Sequence, residues 1–540
     1  MNKKFVPFLF SAILLSGCIS NNPSVTSSDG SIANSVASSE SQSSSESSIN
    51  PSSEASSIDS SSEYSSESSS SEDVSSSEMS SEAYSSSENT SSSEDSSSND
   101  SSLEDIDYET LFYDDFYNPE SEIKLTIRIH DEYAHDVCYF GSTSNSTMHD
   151  IYSPMDLTVS VNGIETTFKE CGIRLKGNMS RGDSQYFFDQ YGNINGGGHF
   201  KISFNTTFDD NDDYEPETDA AVLKARRFSK AKKIDLKWNR NSDATFTKEA
   251  YASHILEEEG LMAQKINLAK VKFITDSDER EFTYQVLECI DEEFIERRLP
   301  KAEKKGDLYK GGWNGSDNIS LTSSATYLRG VEDVTEYKYY VYDLKTNKKK
   351  STHAMLDNLI IKLNDQATYF SEAVEKETLE SIVDINYFLK FAALEWVIGN
   401  PDSWRYNYNN TYLYFNSGNN LLYPIMYDND RCFGIRNTWE VTPDRWPTTT
   451  KDISGNMQNN PLYQAVICGG DSYHPLIEEY QHRYLDYVEE YCSKYLDATK
   501  FNEFTSRFKT IDNVYDGANY SFSSYADMML GLAYDCIYGY

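Results

Sequence analysis

From Lys4 to Lys124 the chain carries neither lysine nor arginine in between, while residues 19–123 hold 23 aspartates and glutamates. From about Ile19 to Leu103 that stretch is mostly serine with interspersed glutamate, in units such as Ser44-Ser45-Glu46 and Ser92-Ser93-Glu94. Aliphatic and aromatic side chains are too sparse there to offset the entropy of ordering a backbone. The sequence therefore predicts a disordered segment, extended by its own charge, that acts as a stalk for a folded part. The fold itself must come from residues 104–540. The whole chain has a net charge of −40, which excludes two classes of function. Gripping nucleic-acid phosphates needs clustered lysine and arginine, and so does electrostatic adhesion to anionic lipid.

The first residues set an expected location. Met1-Asn2-Lys3-Lys4 is a short basic leader, and the apolar run from Phe5 to Leu15 is too short for a permanent membrane span. It ends in Leu15-Ser16-Gly17-Cys18, which resembles a bacterial lipobox. That resemblance implies cleavage of residues 1–17, lipidation of the Cys18 thiol, and tethering of residues 18–103 to the outer face of the cell membrane. An ordinary secretion signal with an incidental Cys18 is the competing reading. Seven further cysteines (Cys138, Cys171, Cys289, Cys432, Cys468, Cys492 and Cys536) are scattered, odd in number and without a C-x-x-C pair. Neither a disulfide framework nor a zinc site is indicated. Buried thiols are expected, with one disulfide left open.

The first part of the folded region reads as strands. Lys124–Ile129 and Leu157–Val161 alternate with period two, and Asn162-Gly163 signals a hairpin into Glu165–Phe168. Gly172–Lys176 and Phe200–Phe204 are two further candidates, and strands return at Ala269–Ile274 and Phe282–Cys289. Between them Phe246, Ala250, Ile255 and Leu256 lie on one face of a helix that ends near Gly260. From Glu377 onward the pattern is mainly helical, with Ile382, Phe388, Leu389, Ala392, Leu394 and Val397 as an apolar stripe. Pro475–Tyr495 also reads as helix. A strand-rich part followed by a helix-rich part predicts an α+β protein with a ligand cleft between them.

The most informative stretch is Trp396-Val397-Ile398-Gly399-Asn400-Pro401-Asp402-Ser403, then Asn409-Asn410-Thr411, then Tyr427-Asp428-Asn429-Asp430-Arg431-Cys432-Phe433-Gly434. A helix delivers Asp402 into a loop, an amide follows eight residues later, and a hairpin returns the chain to two more carboxylates. Asp402, Asn410 and Asp428 can thus converge on one small volume. Oxygen donors of that kind suit Mg²⁺, which takes few protein ligands and leaves room for phosphate oxygens.

At these residues the chain resembles the CotH (spore coat protein H) family of atypical protein kinases, over roughly residues 123–440. Gly172-Ile173-Arg174-Leu175-Lys176-Gly177-Asn178 is similar to the family's R-x-[RK]-G-N segment, and Phe200–Phe204 to its lysine-bearing strand. Phe246-Thr247-Lys248-Glu249-Ala250-Tyr251-Ala252 is similar to the opening of its first major helix. Tyr284–Glu288 with Phe294 resembles its strand-Glu segment, and Gly306-Asp307-Leu308-Tyr309-Lys310 its G-x-L-Y-K turn. One departure is Tyr427, where the family usually has tryptophan before the metal-binding aspartate.

The resemblance implies a reduced, two-lobed kinase-like fold with a β-rich N-lobe over about 104–290 and a mainly helical C-lobe over about 291–540. It implies ATP as co-substrate, Mg²⁺ or Mn²⁺, and transfer of phosphate to Ser or Thr of surface or secreted proteins. Asp402 would be the catalytic aspartate, Asp428 the metal-binding aspartate, and Asn410 an auxiliary metal ligand. Lys201 would pair with the nucleotide phosphates, with Arg174 and Lys176 as neighbours or substitutes, and Glu288 would sit near the nucleotide hinge. The stalk's serines often have Glu two places on, as in Ser38-Ser39-Glu40, a pattern that some secreted atypical kinases prefer. The chain's own stalk is therefore a candidate acceptor.

Each assignment has a plainer competitor. Asp402 after Asn-Pro could begin a turn, Lys201 could lie on a solvated strand face, and Glu288 could be an edge-strand charge. A calcium loop at Asp428–Asp430 is disfavoured, because Gly434 falls one place late and Trp439 stands where an EF-hand has its closing glutamate. The acidic run Asp209–Asp213 reads as a solvated loop, and the eight histidines form no HExxH motif. A non-catalytic adhesin or structural lipoprotein on the same fold, and transfer of a group other than phosphoryl, remain the alternative functions.

Overall fold

The computed structural model describes residues 108–142, 150–177, 179–312, 318–322, 341–365, 372–435, 446–449, 460–467, 477–510 and 518–539. The leader, Cys18, the Ser/Glu stalk, Asn178, Trp439 and Cys468 lie outside the described residues.

Seven strands close into a barrel: β1 (Ile123–Arg128), β2 (Ser153–Val161), β3 (Ile164–Leu175), β4 (Phe200–Ser203), β5 (Lys233–Lys237), β6 (Ile266–Ile274) and β7 (Glu279–Glu288). Their order is β1-β2-β3-β4-β5-β7-β6, and β6 returns to β1 as the one parallel pair among them. The β2–β3 hairpin turns at Asn162-Gly163, both at positive φ (51° and 84°), as a two-residue loop between twisted strands requires. Period-two alternation puts Ile173, Ile202, Ile234 and Leu236 into the barrel interior, with Phe187, Phe200, Phe273 and Tyr284 packed edge-to-face or tilted among them. The alternate residues of β3, β4 and β5 form the opposite, outward face.

The remainder holds a second sheet and most of the helices. β8 (Leu308–Gly311), β9 (Tyr342–Leu344), β10 (Thr411–Phe415) and β11 (Leu422–Met426) pair antiparallel in the order β11-β10-β8-β9. The Ile385–Ile398 helix is capped by Asp384, whose carboxylate accepts from Tyr387 N at 3.0 Å, and it ends at Gly399 in the left-handed region (φ 62°). Every residue from Phe391 to Ile398 is buried, so this is a core helix covered on all sides rather than one with a single apolar stripe. Its principal partner is the Glu478–Tyr495 helix. A small cluster of Met262, Ile290, Phe294, Leu308, Tyr412 and Ile425 joins the end of the barrel to the second sheet.

The α+β class is as expected, and several elements differ in detail. Glu165–Phe168 and Gly172–Leu175 belong to one twelve-residue strand, bent where Glu170 takes φ 52°. Ile382 lies between two helices, Glu372–Glu380 and Ile385–Ile398, and is buried there. Lys310 stands on a strand, not in a turn. Among the described residues all cysteines are free thiols, five of them buried, and no helix is long and apolar enough to cross a membrane.

Candidate active site

The site begins with the outward face of β3–β4–β5. The cross-strand register aligns Arg174, Lys201 and Asp235, and residues directly opposite in a sheet share a face. Asp235 receives two ammonium groups, Lys201 at 2.5 Å and Lys176 at 2.7 Å, all three largely buried. Burial alone would raise the Asp235 carboxyl, but the two lysines hold it well below the usual range. Lys201 also donates to Cys289 Sγ at 3.2 Å. Arg174 turns elsewhere, to Asp150 at 3.1 Å and over the Tyr152 ring.

Two residues along β5 stands Lys237, 5% exposed, and it carries a different network. Its ammonium donates to Glu249 at 2.7 Å and to Asp428, and lies 3.6 Å from Asp430. Glu249 occupies the first turn of the Lys248–Glu258 helix and is itself buried. One lysine thus ties the barrel, that helix and the loop after β11 to each other. Burial would push the Asp428 carboxyl up, yet Lys237, aided by Lys176, holds it low. Asp430 responds differently, because burial and the neighbouring Asp428 outweigh Lys237 and raise it. His199 nearby is kept neutral, its pKa lowered to about 3 by burial and then by Lys237 and Lys176.

Asp402 enters from the loop after Gly399. Its carboxylate accepts from Asn407 Nδ2 at 2.6 Å and Asn409 Nδ2 at 3.2 Å. Burial raises its pKa to about 6, the two amides opposing and Asp428 reinforcing the shift. Asn400, 1% exposed, couples the two acidic loops. Its side-chain oxygen accepts from Asp402 N at 3.0 Å, and its amide donates to Asp428 O and to Asn429 Oδ1, each at 3.2 Å. Asp428 needs such support, since it holds the left-handed conformation (φ 61°) that a residue with a Cβ disfavours.

A family model described as CotH kinase protein matches residues 174–522, well over half of the chain. The chain belongs to the CotH family. The match starts in β3 and continues into the Ala518–Tyr538 helix, so CotH character extends beyond residue 440, past the last of the sequence motifs. A search of curated proteins found no match.

The expected site residues are therefore distributed as follows. Asp402 and Asp428 face one another's field, Lys176 and Lys237 act on Asp428 from the barrel wall, and Lys201 shares Asp235 with Lys176. Asn410 is buried with φ 51°; its carbonyl accepts from Tyr427 N at 3.2 Å, and its side-chain nitrogen has no partner among the described residues. The amides against Asp402 are Asn407 and Asn409, five and seven residues on. Glu288 ends β7 with its carboxylate bracketed by Arg297 Nε at 3.0 Å and Arg298 Nη2 at 2.5 Å, so two arginines already neutralise it. Burial would raise Glu288, but those arginines keep it low.

Lys237, Glu249 and Asn407 are candidate-site residues that the motifs do not single out, although signals for all three exist. Lys233-Ile234-Asp235-Leu236-Lys237 alternates charged and apolar residues without a break, and Glu249 sits inside the opening of the helix after Thr247. Asp402…Asn407 also carries the D-x₄-N spacing of kinase catalytic loops.

Asp428 and Asp430 offer carboxylate oxygens and Asn407 an amide oxygen, the hard donors that Mg²⁺ or Mn²⁺ takes. Among the described residues no group of three or more His, Cys, Asp or Glu could hold a metal ion by itself. The donors present fit a cation that shares its coordination sphere with phosphate and water, and not a closed protein cage.

Proposed function

We propose that this CotH member is an ATP- and Mg²⁺-dependent protein Ser/Thr kinase with a two-lobed fold, the barrel serving as N-lobe and the second sheet with its helices as C-lobe. The observation that carries the reading is the double engagement of Lys237 with Glu249 and Asp428. Protein kinases require a strand lysine paired with a helix glutamate, and a metal-binding aspartate in front of it, to position the nucleotide. Asp402, hydrogen-bonded to Asn407, supplies the catalytic-loop aspartate and its D-x₄-N partner.

In this scheme Lys237 holds the phosphates, Glu249 orients Lys237, and Asp428 and Asn407 hold the cation. A bound cation supplies charge neutralisation at the transferring phosphoryl group. Asp402 accepts the proton of the attacking serine or threonine hydroxyl as the O–P bond forms and ADP leaves. The water-poor surroundings that raise the Asp402 pKa suit it to that task near neutral pH.

The acceptor class that best fits the chain is acidic, serine-rich protein, with the Ser/Glu stalk as one example. A tether to Cys18 at the cell surface would give that stalk a high effective concentration at the site. Each phosphate would add about −1.5 to −2 charge and stiffen it.

The test is transfer of labelled γ-phosphate from ATP with Mg²⁺ or Mn²⁺ to the stalk, followed by intact-mass spectrometry, with Asp402→Ala and Asp428→Ala as controls. Incorporation lost in both variants supports the kinase. Absence of both transfer and nucleotide binding would favour the non-catalytic surface protein.

A further inference from the structure

Among the described residues Lys176, Lys201, Lys237 and Lys310 gather around the candidate site, and three of them are matched by acids. Lys176 and Lys201 share Asp235, and Lys237 has Glu249, Asp428 and Asp430. Lys310 is the fourth. It lies on β8, directly across from Tyr412 on β10 and from Asp343 on β9. Asp343 is engaged by Lys345, so that face of the sheet carries two lysines for one carboxylate. Among the described residues Lys310 has no ion pair. Its ammonium lies 4.8 Å from the centre of the Tyr427 ring, the residue before Asp428, and Tyr427 packs edge-on against Tyr412 at 5.3 Å. Lys310 is part-buried, and burial followed by the field of Lys201 draws its pKa below the ordinary lysine value. The fields of Asp428, Asp343 and Asp235 oppose that shift without outweighing it.

A part-buried ammonium with no counter-ion is costly unless something else supplies the negative charge. We propose that Lys310 is a ligand of the nucleotide's phosphate chain, reaching it from the second sheet opposite the barrel lysines. The inference rests on the kinase reading and goes beyond it: nucleotide is gripped from both walls of the cleft, and Lys310 makes the site prefer a polyphosphate over a monophosphate. The Tyr427 ring, braced edge-on by Tyr412, holds the ammonium over its face, so the charge is set before ligand arrives. An ammonium group is a compact point charge suited to phosphate oxygens.

The experiment is equilibrium binding of ATP, ADP and AMP, each with Mg²⁺, to the full chain and to its Lys310→Met and Lys310→Arg variants, with thermal unfolding of each. Lys310→Met should weaken ATP binding on the order of 30-fold or more and leave AMP within a few fold. Lys310→Arg should recover most of the ATP affinity. The midpoint of unfolding should stay level or rise in Lys310→Met, because an uncompensated charge leaves the interior. Unchanged ATP affinity in a folded Lys310→Met variant, with wild-type protein still preferring ATP to AMP, overturns the inference and leaves the kinase reading intact. A lower unfolding midpoint with ATP and AMP weakened alike assigns Lys310 to structure and also overturns it. Failure of the wild-type chain to bind any nucleotide overturns both together.

Discussion

Two lysine networks lie two residues apart on β5 and behave differently. Around Asp235, two lysines on neighbouring strands of the barrel converge on one carboxylate, and every member belongs to the barrel or its immediate edge. Around Lys237 the ratio is reversed: one lysine meets three carboxylates from a helix and a distant loop, 191 residues away in the case of Asp428. The first network ties strand to strand, as a structural cross-link would. The second joins three elements and leaves acid in excess beside Asp428, which is the condition for drawing in a divalent cation. The comparison teaches that a buried lysine in this cleft is assigned by what it faces, not by its strand.

The largest expected effect separates acids from cations. Asp402→Ala and Asp428→Ala should each lower phosphate transfer about 10³-fold or more while the chain stays folded by circular dichroism. A variant that retains a tenth of the wild-type rate would break the catalytic assignment of that residue.

Next in size is the contrast between the two lysines themselves. Lys237→Met should cost about 10²–10³-fold in kcat/KM, and Lys201→Met about 10-fold. Measured in parallel, the reverse order would return the phosphate-pairing role to Lys201 and invert the comparison.

Stability should sort the networks in the opposite sense. Asp235→Asn leaves two largely buried lysines without their carboxylate and should lower unfolding free energy by roughly 3 kcal/mol, read by urea denaturation. The folded Asp235 pKa is depressed, so its contribution is complete above the unfolded value of about 3.9 and is lost as pH falls below that. The variant should therefore show a shallower acid dependence than wild type. An equal loss in Glu249→Gln would erase the distinction between the two networks.

The smallest effect is the pH profile. Asp402 must be ionised to accept a proton, and its carboxyl is raised to about 6. The rate should climb as pH increases through about 6 and level off above it. In Asn407→Ala one opposing hydrogen bond is gone, so the midpoint should move upward. A profile flat from pH 5 to 8 would argue against Asp402 as the base.

Much of this is legible in the amino-acid order alone. The alternation of β1 to β4, the Asn162-Gly163 hairpin, the helix after Thr247 and the acidic loops at Asp402 and Asp428 are local patterns, governed by side-chain period, turn conformation and spacing. The Ser/Glu-rich composition of about residues 19–103 likewise directs the search for a fold to the residues that follow. What the sequence leaves open is partnership. Lys201 and Lys237 are both strand lysines flanked by apolar residues, and nothing local says that one meets Asp235 and the other Asp428. Asn407 and Asn410 are both amides near Asp402, and only the turn at residues 404–408 brings the first to 2.6 Å. Glu288 is a strand-end glutamate whose arginine partners lie on the next helix. Sequence by itself determined which residue types could do the chemistry and which faces they would occupy, because those follow from short-range periodicity. Tertiary structure alone decided which charges meet, because Coulomb attraction and burial act through space, across separations along the chain that no local pattern records.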